Sequence, residues 1–178
     1  QLEVLNLYNC RFKSVVGLSK LQGLKQLDIH AKVADATSWR ELATLRSLER
    51  VHIHTYSPIE VPSQRDFRHL AYLAIHGTDI EFDVDDLMSA PALQALELDG
   101  APYLFMASPQ GPQPGAAERW EKRLLALASK HPLTESPTLR RVFLGTLPAA
   151  SRKQLAEWLH VPCVREAELL LKPNVLPL

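Results

Sequence analysis

The sequence predicts an α/β repeat fold, and three observations predict it. A pair of apolar residues two positions apart recurs seven times: Leu5 with Leu7, Leu27 with Ile29, Val51 with Ile53, Leu73 with Ile75, Leu96 with Leu98, Val142 with Leu144, and Ala167 with Leu169. Five of the six steps between successive pairs span 22 to 25 residues, and the sixth, from Leu96 to Val142, spans 46. Upstream of the pairs, apolar residues fall at every third position, most clearly at Leu18, Leu21, Leu24 and at Leu42, Leu45, Leu48. A pair separated by one residue projects from one side of a strand. The three-residue spacing before it belongs to neither a plain strand nor an ordinary helix. Units this short cannot bury their own apolar face, so neighbours stack and share one core.

The same cadence continues at Phe67 and Leu70, at Leu87, Ala90 and Leu93, at Leu133, Ser136 and Leu139, and at Val161 and Val164. Seven matches at a near-constant period resemble the leucine-rich-repeat superfamily over almost the whole chain, residues 1–178, as a single domain of about seven units. The first unit, Leu2, Leu5, Leu7 and Cys10, is nearest the family pattern, with Cys10 at the turn position usually held by Asn or Cys. Cys10 after Asn9 is similar to the cysteine-containing repeats of F-box proteins, although no F-box is present. Lys32, Tyr56, Thr78 and Ala101 occupy that position elsewhere, which breaks any continuous side-chain ladder. The resemblance implies a horseshoe-shaped solenoid: a parallel β-sheet lining the concave side, and irregular or short-helical connections on the convex side.

Composition bounds the function. Hydrophobic residues make up 46% and charged residues 22%, ordinary values for a folded domain rather than a disordered one. Twenty basic residues cancel twenty acidic ones, so bulk charge favours neither nucleic acid nor an anionic membrane. No apolar run approaches the ~18 residues needed to span a bilayer, and no secretory leader is visible. With only Cys10 and Cys163, and no Asn followed two places later by Ser or Thr, an intracellular, reducing setting is expected. The start at Gln1, directly inside a repeat and without Met, reads as a piece of a longer chain.

Among the connections, Thr37 or Ser38 is placed to cap a helix through Leu45, with Trp39, Leu42 and Ala43 on one side. Pro58 and Pro62 favour an extended crossing from Ser57 to Gln64. A short helix fits Asp83 to Met88, ahead of Pro91, and another is expected to start at Ser151 and stop before Pro162. The doubled step reads as an insertion over residues 101–135 within one unit. It opens with a Pro- and Gly-rich loop, residues 101–117, carrying Tyr103, Leu104, Phe105 and Met106. An amphipathic helix follows from Ala116 to Lys130, with Trp120, Leu124, Leu127 and Ala128 on one side.

Alternation along each strand puts the residues between and after each inward pair on the opposite, solvent face. These are Asn6 and Tyr8, Asp28 and His30, His52 and His54, Ala74 and His76, Glu97 and Asp99, Phe143 and Gly145, and Glu168 and Leu170. One column therefore runs Tyr8, His30, His54, His76, Asp99, on rungs about 4.8 Å apart. His30, His52, His54, His76 and Asp99 are candidate ligands for a metal such as zinc, set against a polar strip that simply faces solvent or a partner. Stacked imidazoles at His30, His54 and His76 would repel on protonation, which predicts a change in binding near pH 6.

No phosphate-binding loop, dinucleotide fingerprint or nucleophile elbow is present, and neither cysteine lies in a CxxC pair. Paired acids such as Glu97 and Asp99, on an open sheet, lack the burial that raises one carboxyl for acid–base work. The sequence thus predicts a non-catalytic recognition module for a protein partner, with no cofactor; neither nucleic acid nor a small molecule is expected. The partner-binding residues expected are Tyr8, Asp28, His30, Arg50, His52, His54, Tyr72, His76, Glu97, Asp99 and Phe143 on the sheet, and Tyr103 and Phe105 in the loop. Substrate receptors, effectors, immunity modules and sensors all fit that class. The alternative is a metal-dependent site at the histidine cluster.

Overall fold

In the structure, a computed structural model, residues 2–55, 59–61, 63, 67–77, 80–100, 115–130, 136 and 138–160 are described. Six expected inward pairs fall on or beside strands that join one parallel sheet; the seventh, Ala167 with Leu169, lies outside the described residues. The sheet contains β1 (Val4–Phe12), β2 (Gln26–Val33), β3 (Arg50–Thr55), β5 (Tyr72–His76), β7 (Ala95–Asp99) and β8 (Arg141–Phe143), side by side in chain order. Leu27, Ile29, Val51, Ile53, Leu73, Ile75, Leu96, Leu98 and Val142 point into one continuous core, while Leu5 and Leu7, on the edge strand, are half-buried against it.

A repeated backbone device sets the register. The carbonyls of Glu3, Lys25, Glu49, Ala71 and Gln94 each accept two N–H groups from the residues at the start of the next sheet strand, at 2.8–3.2 Å. Each turn into a strand thus satisfies its neighbour's backbone as it positions it. In β1 the pairing slips between Tyr8 and Cys10, where Asn9 adopts a left-handed φ of 55°.

The connections differ from expectation in instructive ways. The segment expected to be a helix capped by Thr37 or Ser38 is a 3-10 segment, Ala36–Thr44, matching a shorter one at Val16–Lys20. Trp39 and Leu42 within it, and Leu45 and Leu48 in the turns that follow it, are all buried; their three-residue spacing fits i to i+3 turns, which the N–H groups of Leu45 and Leu48 continue by donating to the Leu42 and Leu45 carbonyls. Ser38 ties neighbouring crossings instead of capping: its hydroxyl accepts the Val15 N–H at 3.1 Å and donates to the Asp35 carbonyl at 2.7 Å. The proline-flanked crossing contains β4 (Ile59–Glu60), which pairs with β6 (Ile80–Glu81) as a second, two-stranded parallel sheet that the sequence pattern does not announce. A short helix, α1 (Val84–Met88), follows; Asp83 Oδ1 accepts the Asp86 N–H at 3.0 Å.

Helix α2 (Ala116–Lys130) has the bounds read from the sequence, with Trp120 and Leu124 buried. Strands β7 and β8 pair directly, Ala95 with Arg141 through Glu97 with Phe143, so the long step adds no strand between them. Trp120 fixes the helix to the sheet ends by donating Nε1–H to the Leu144 carbonyl at 2.9 Å. Gly100 admits its ring: a Cβ there would lie 2.2 Å from Trp120 Cε3. The last helix, α3 (Ala149–Leu159), starts two residues before Ser151, whose buried hydroxyl instead donates to Glu121 on α2. Residues 101–114 and 131–135, including Tyr103 and Phe105, lie outside the described residues. Among the described residues no helix is long and apolar enough to cross a membrane.

Candidate functional site

The strand register brings the expected columns together. Tyr8, His30, His54, His76 and Asp99 are successive partners across β1, β2, β3, β5 and β7, and Asn6, Asp28, His52, Ala74, Glu97 and Phe143 form the adjacent column. Both columns lie opposite the core because strand side chains alternate. The imidazoles do not stack flat. His30 and His54 lie 4.8 Å apart between centroids, and His54 and His76 5.1 Å, both edge-to-face. His52 makes similar edge contacts with His30 and His76.

Two carboxylates organise the face. Asp28 Oδ2 accepts the Tyr8 hydroxyl at 2.8 Å, while Asp28 Oδ1 lies 3.4 Å from both His30 Nε2 and His52 Nδ1. Glu97 accepts the Tyr72 hydroxyl at 2.9 Å and His76 Nε2–H at 2.7 Å, the carboxylate being the acceptor and the ring nitrogen therefore the donor. The Arg50 guanidinium sits 5.2 Å from the centre of the Tyr72 ring.

Exposure divides these residues. Tyr8 is 56% exposed, and Asp28, His30, Arg50, His52, His54, Tyr72 and His76 are partly exposed. Glu97, Asp99 and Phe143, expected to face solvent, are only 7%, 8% and 4% exposed. This corrects the expectation that these residues stand open to solvent on the sheet face: Glu97 is held inside by its two donors, and Asp99 Oδ1 lies against the backbone at Gly145, where a Cβ would sit 2.7 Å away.

Burial also sets the protonation states. It drives the His54 pKa down to about 3, helped by the neighbouring charges of His76, His30 and His52. His52 is lowered too, by burial first and then by His76. Of the rings expected to switch near pH 6, His54 is therefore displaced well below that range. For Glu97, burial pulls upward, but the His76 hydrogen bond and charge and the Tyr72 hydrogen bond outweigh it and lower the pKa. The Tyr72 phenol is raised by burial and by Glu97, and that of Tyr8 by its hydrogen bond to Asp28 and that residue's charge.

Of the expected ligand set, only part converges. Among the described residues, the one group whose donor atoms all lie within 4.8 Å of one another is Asp28, His30 and His52. His54, His76 and Asp99 fall outside that group, and Asp28 takes the acidic place expected for Asp99. A groove of about 270 Å³ adjoins it, lined by Asn6, Gln26, Asp28, Arg50, His52 and Tyr72.

Sequence reasoning missed a second concavity of about 740 Å³ around Arg40, Glu60, Ser63, Glu81, Asp83 and Asp86. Arg40 is paired with Glu60 there, and the Ser63 hydroxyl donates to Asp86 at 3.0 Å. The run of acids after Ile59 and Ile80 was its signal, legible only once β4 and β6 are known to pair. Searches with protein-family models, among curated proteins and among solved structures find no match to this chain.

Proposed function

We propose that the chain is a leucine-rich-repeat solenoid acting as a non-catalytic recognition module, with the β1–β3 end of the sheet face as the docking surface for a protein partner. The observation that carries this reading is the aromatic and imidazole row of exposed Tyr8 and partly exposed His30 and His54, held in register on adjacent parallel strands. Aromatic side chains, with Arg50 placed over Tyr72, have the chemistry enriched at interface centres. Strands paired in a sheet present them with little backbone ordering left to be paid on binding. The 101–117 loop, with Tyr103 and Phe105, belongs to the proposed surface as a second contact. An intracellular setting is part of this reading, in keeping with the free thiol of Cys10.

The test is quantitative affinity capture with the wild-type chain, a Tyr8→Ala/Arg50→Ala variant and a Phe105→Ala variant. Glu97 is unsuitable as a surface probe because it is buried. A shared partner lost with the sheet variant supports the reading. If the sheet variant captures the same set as wild type while Phe105→Ala loses it, the loop and not the sheet is the interface.

A further inference from the structure

We propose that Asp28, His30 and His52 form a binding site for a divalent transition-metal ion, zinc foremost, with a coordination position left open to solvent. This goes beyond the recognition reading and does not depend on it.

The geometry around Asp28 Oδ1 points to an ion. That oxygen is shielded from solvent and accepts no hydrogen bond, yet His30 Nε2 and His52 Nδ1 each lie 3.4 Å from it. An imidazole donating to a carboxylate sits at about 2.7–2.9 Å. His76 does so with Glu97, at 2.7 Å, on the same face. At Asp28 the separation is instead that of two ligands sharing an ion. Zinc bonds of about 2.0–2.2 Å, arranged tetrahedrally, place neighbouring donor atoms roughly 3.3–3.5 Å apart.

The supporting parts are also present. Asp28 and His30 share one face of β2, and His52 is the direct register partner of Asp28 on β3, so two paired strands hold all three donors. Tyr8 donates to Asp28 Oδ2 at 2.8 Å, which orients the carboxylate and leaves Oδ1 for the ion. All three side chains are partly open to solvent, and the adjoining groove offers water or a partner's side chain the remaining position. Two imidazoles and one carboxylate suit a borderline ion, whereas calcium and magnesium call for oxygen donors throughout.

The experiment uses the full chain without a histidine tag, stripped of metal and titrated with zinc chloride alone by calorimetry; cobalt(II) serves as the spectroscopic reporter. The expected result is one equivalent of zinc and intense visible cobalt bands of four-coordinate geometry. Asp28→Asn, His30→Gln and His52→Gln should each weaken binding by more than about tenfold, and Tyr8→Phe, which keeps all three ligands, by about tenfold. His69→Gln and His160→Gln, at exposed positions away from the face, should bind as wild type. Circular dichroism checks that each variant folds, and the wild-type cobalt spectrum tests the geometry with no substitution at all. The proposal is overturned by the absence of stoichiometric zinc binding, by weak uptake of several equivalents, or by binding that survives Asp28→Asn and His52→Gln but is lost with His76→Gln.

Discussion

The two ends of one sheet face treat their carboxylates in opposite ways. On β2, Asp28 is partly open, uses one oxygen for Tyr8 and leaves the other between two imidazoles at 3.4 Å. On β7, Glu97 is buried with both oxygens engaged, by Tyr72 at 2.9 Å and His76 at 2.7 Å. The strand position is equivalent, since both residues belong to one register column. A shielded carboxylate oxygen is costly unless it finds a partner. Glu97 meets that cost within the chain, while the shielded Oδ1 of Asp28 is left for something that is not part of it.

That contrast can be broken hardest at the closed end. Trp120→Ala removes a buried indole and its hydrogen bond to Leu144, and should cost about 3–5 kcal/mol in urea denaturation, provided unfolding is two-state. Next, Glu97→Gln should cost about 1–3 kcal/mol, because it disturbs a buried carboxylate and its two partly buried donors, whereas Asp28→Asn in metal-free protein should cost under about 1 kcal/mol. Equal losses at the two positions would dissolve the distinction between the ends.

A pH series sharpens it further. The unfolded chain takes up a proton on His54 near its ordinary value of 6.5, but the folded chain resists until about 3. Stability from this group is therefore full above about pH 6.5 and is lost as the pH falls toward 3. Glu97 acts in the same direction, its contribution present above the usual carboxyl range and lost below it. With a chelator present, the urea midpoint should fall between pH 7 and pH 4. His54→Gln should remove on the order of 1–2 kcal/mol of that fall once the ring's partial exposure to water is allowed for. A pH profile unchanged by the substitution would contradict the assignment. The smallest effect belongs to the exposed Lys25–Glu3 pair at 3.1 Å: Lys25→Met should change stability by no more than about 0.5 kcal/mol, measured in the same denaturation series.

Much of this was legible in the chain. The inward pairs placed the strands, and because side chains alternate with a period of two, they also placed Tyr8, His30, His54 and His76 in one column. The helix from Ala116 to Lys130 followed from the spacing of Trp120, Leu124, Leu127 and Ala128. The crossings were harder to read. Trp39, Leu42, Leu45 and Leu48 lie three apart, but only Trp39 and Leu42 fall within the 3-10 segment, which is tied to the neighbouring crossing by the Ser38 bond to Val15. The pairing of β4 with β6 joins two residues with two, a signal too short to separate from chance in a sequence.

Periodicity, then, is what the sequence determined by itself: which residues face the core, which face away, and which of the latter share a column. Depth and reach belong to the tertiary structure. Alternation cannot reveal that Glu97, Asp99 and Phe143 are covered while Tyr8 is not, because cover comes from parts of the chain remote in sequence. Nor can it show that the acid converging with His30 and His52 is Asp28 and not Asp99, since convergence depends on side-chain rotamers and on distances of a few ångströms that a repeat pattern does not encode.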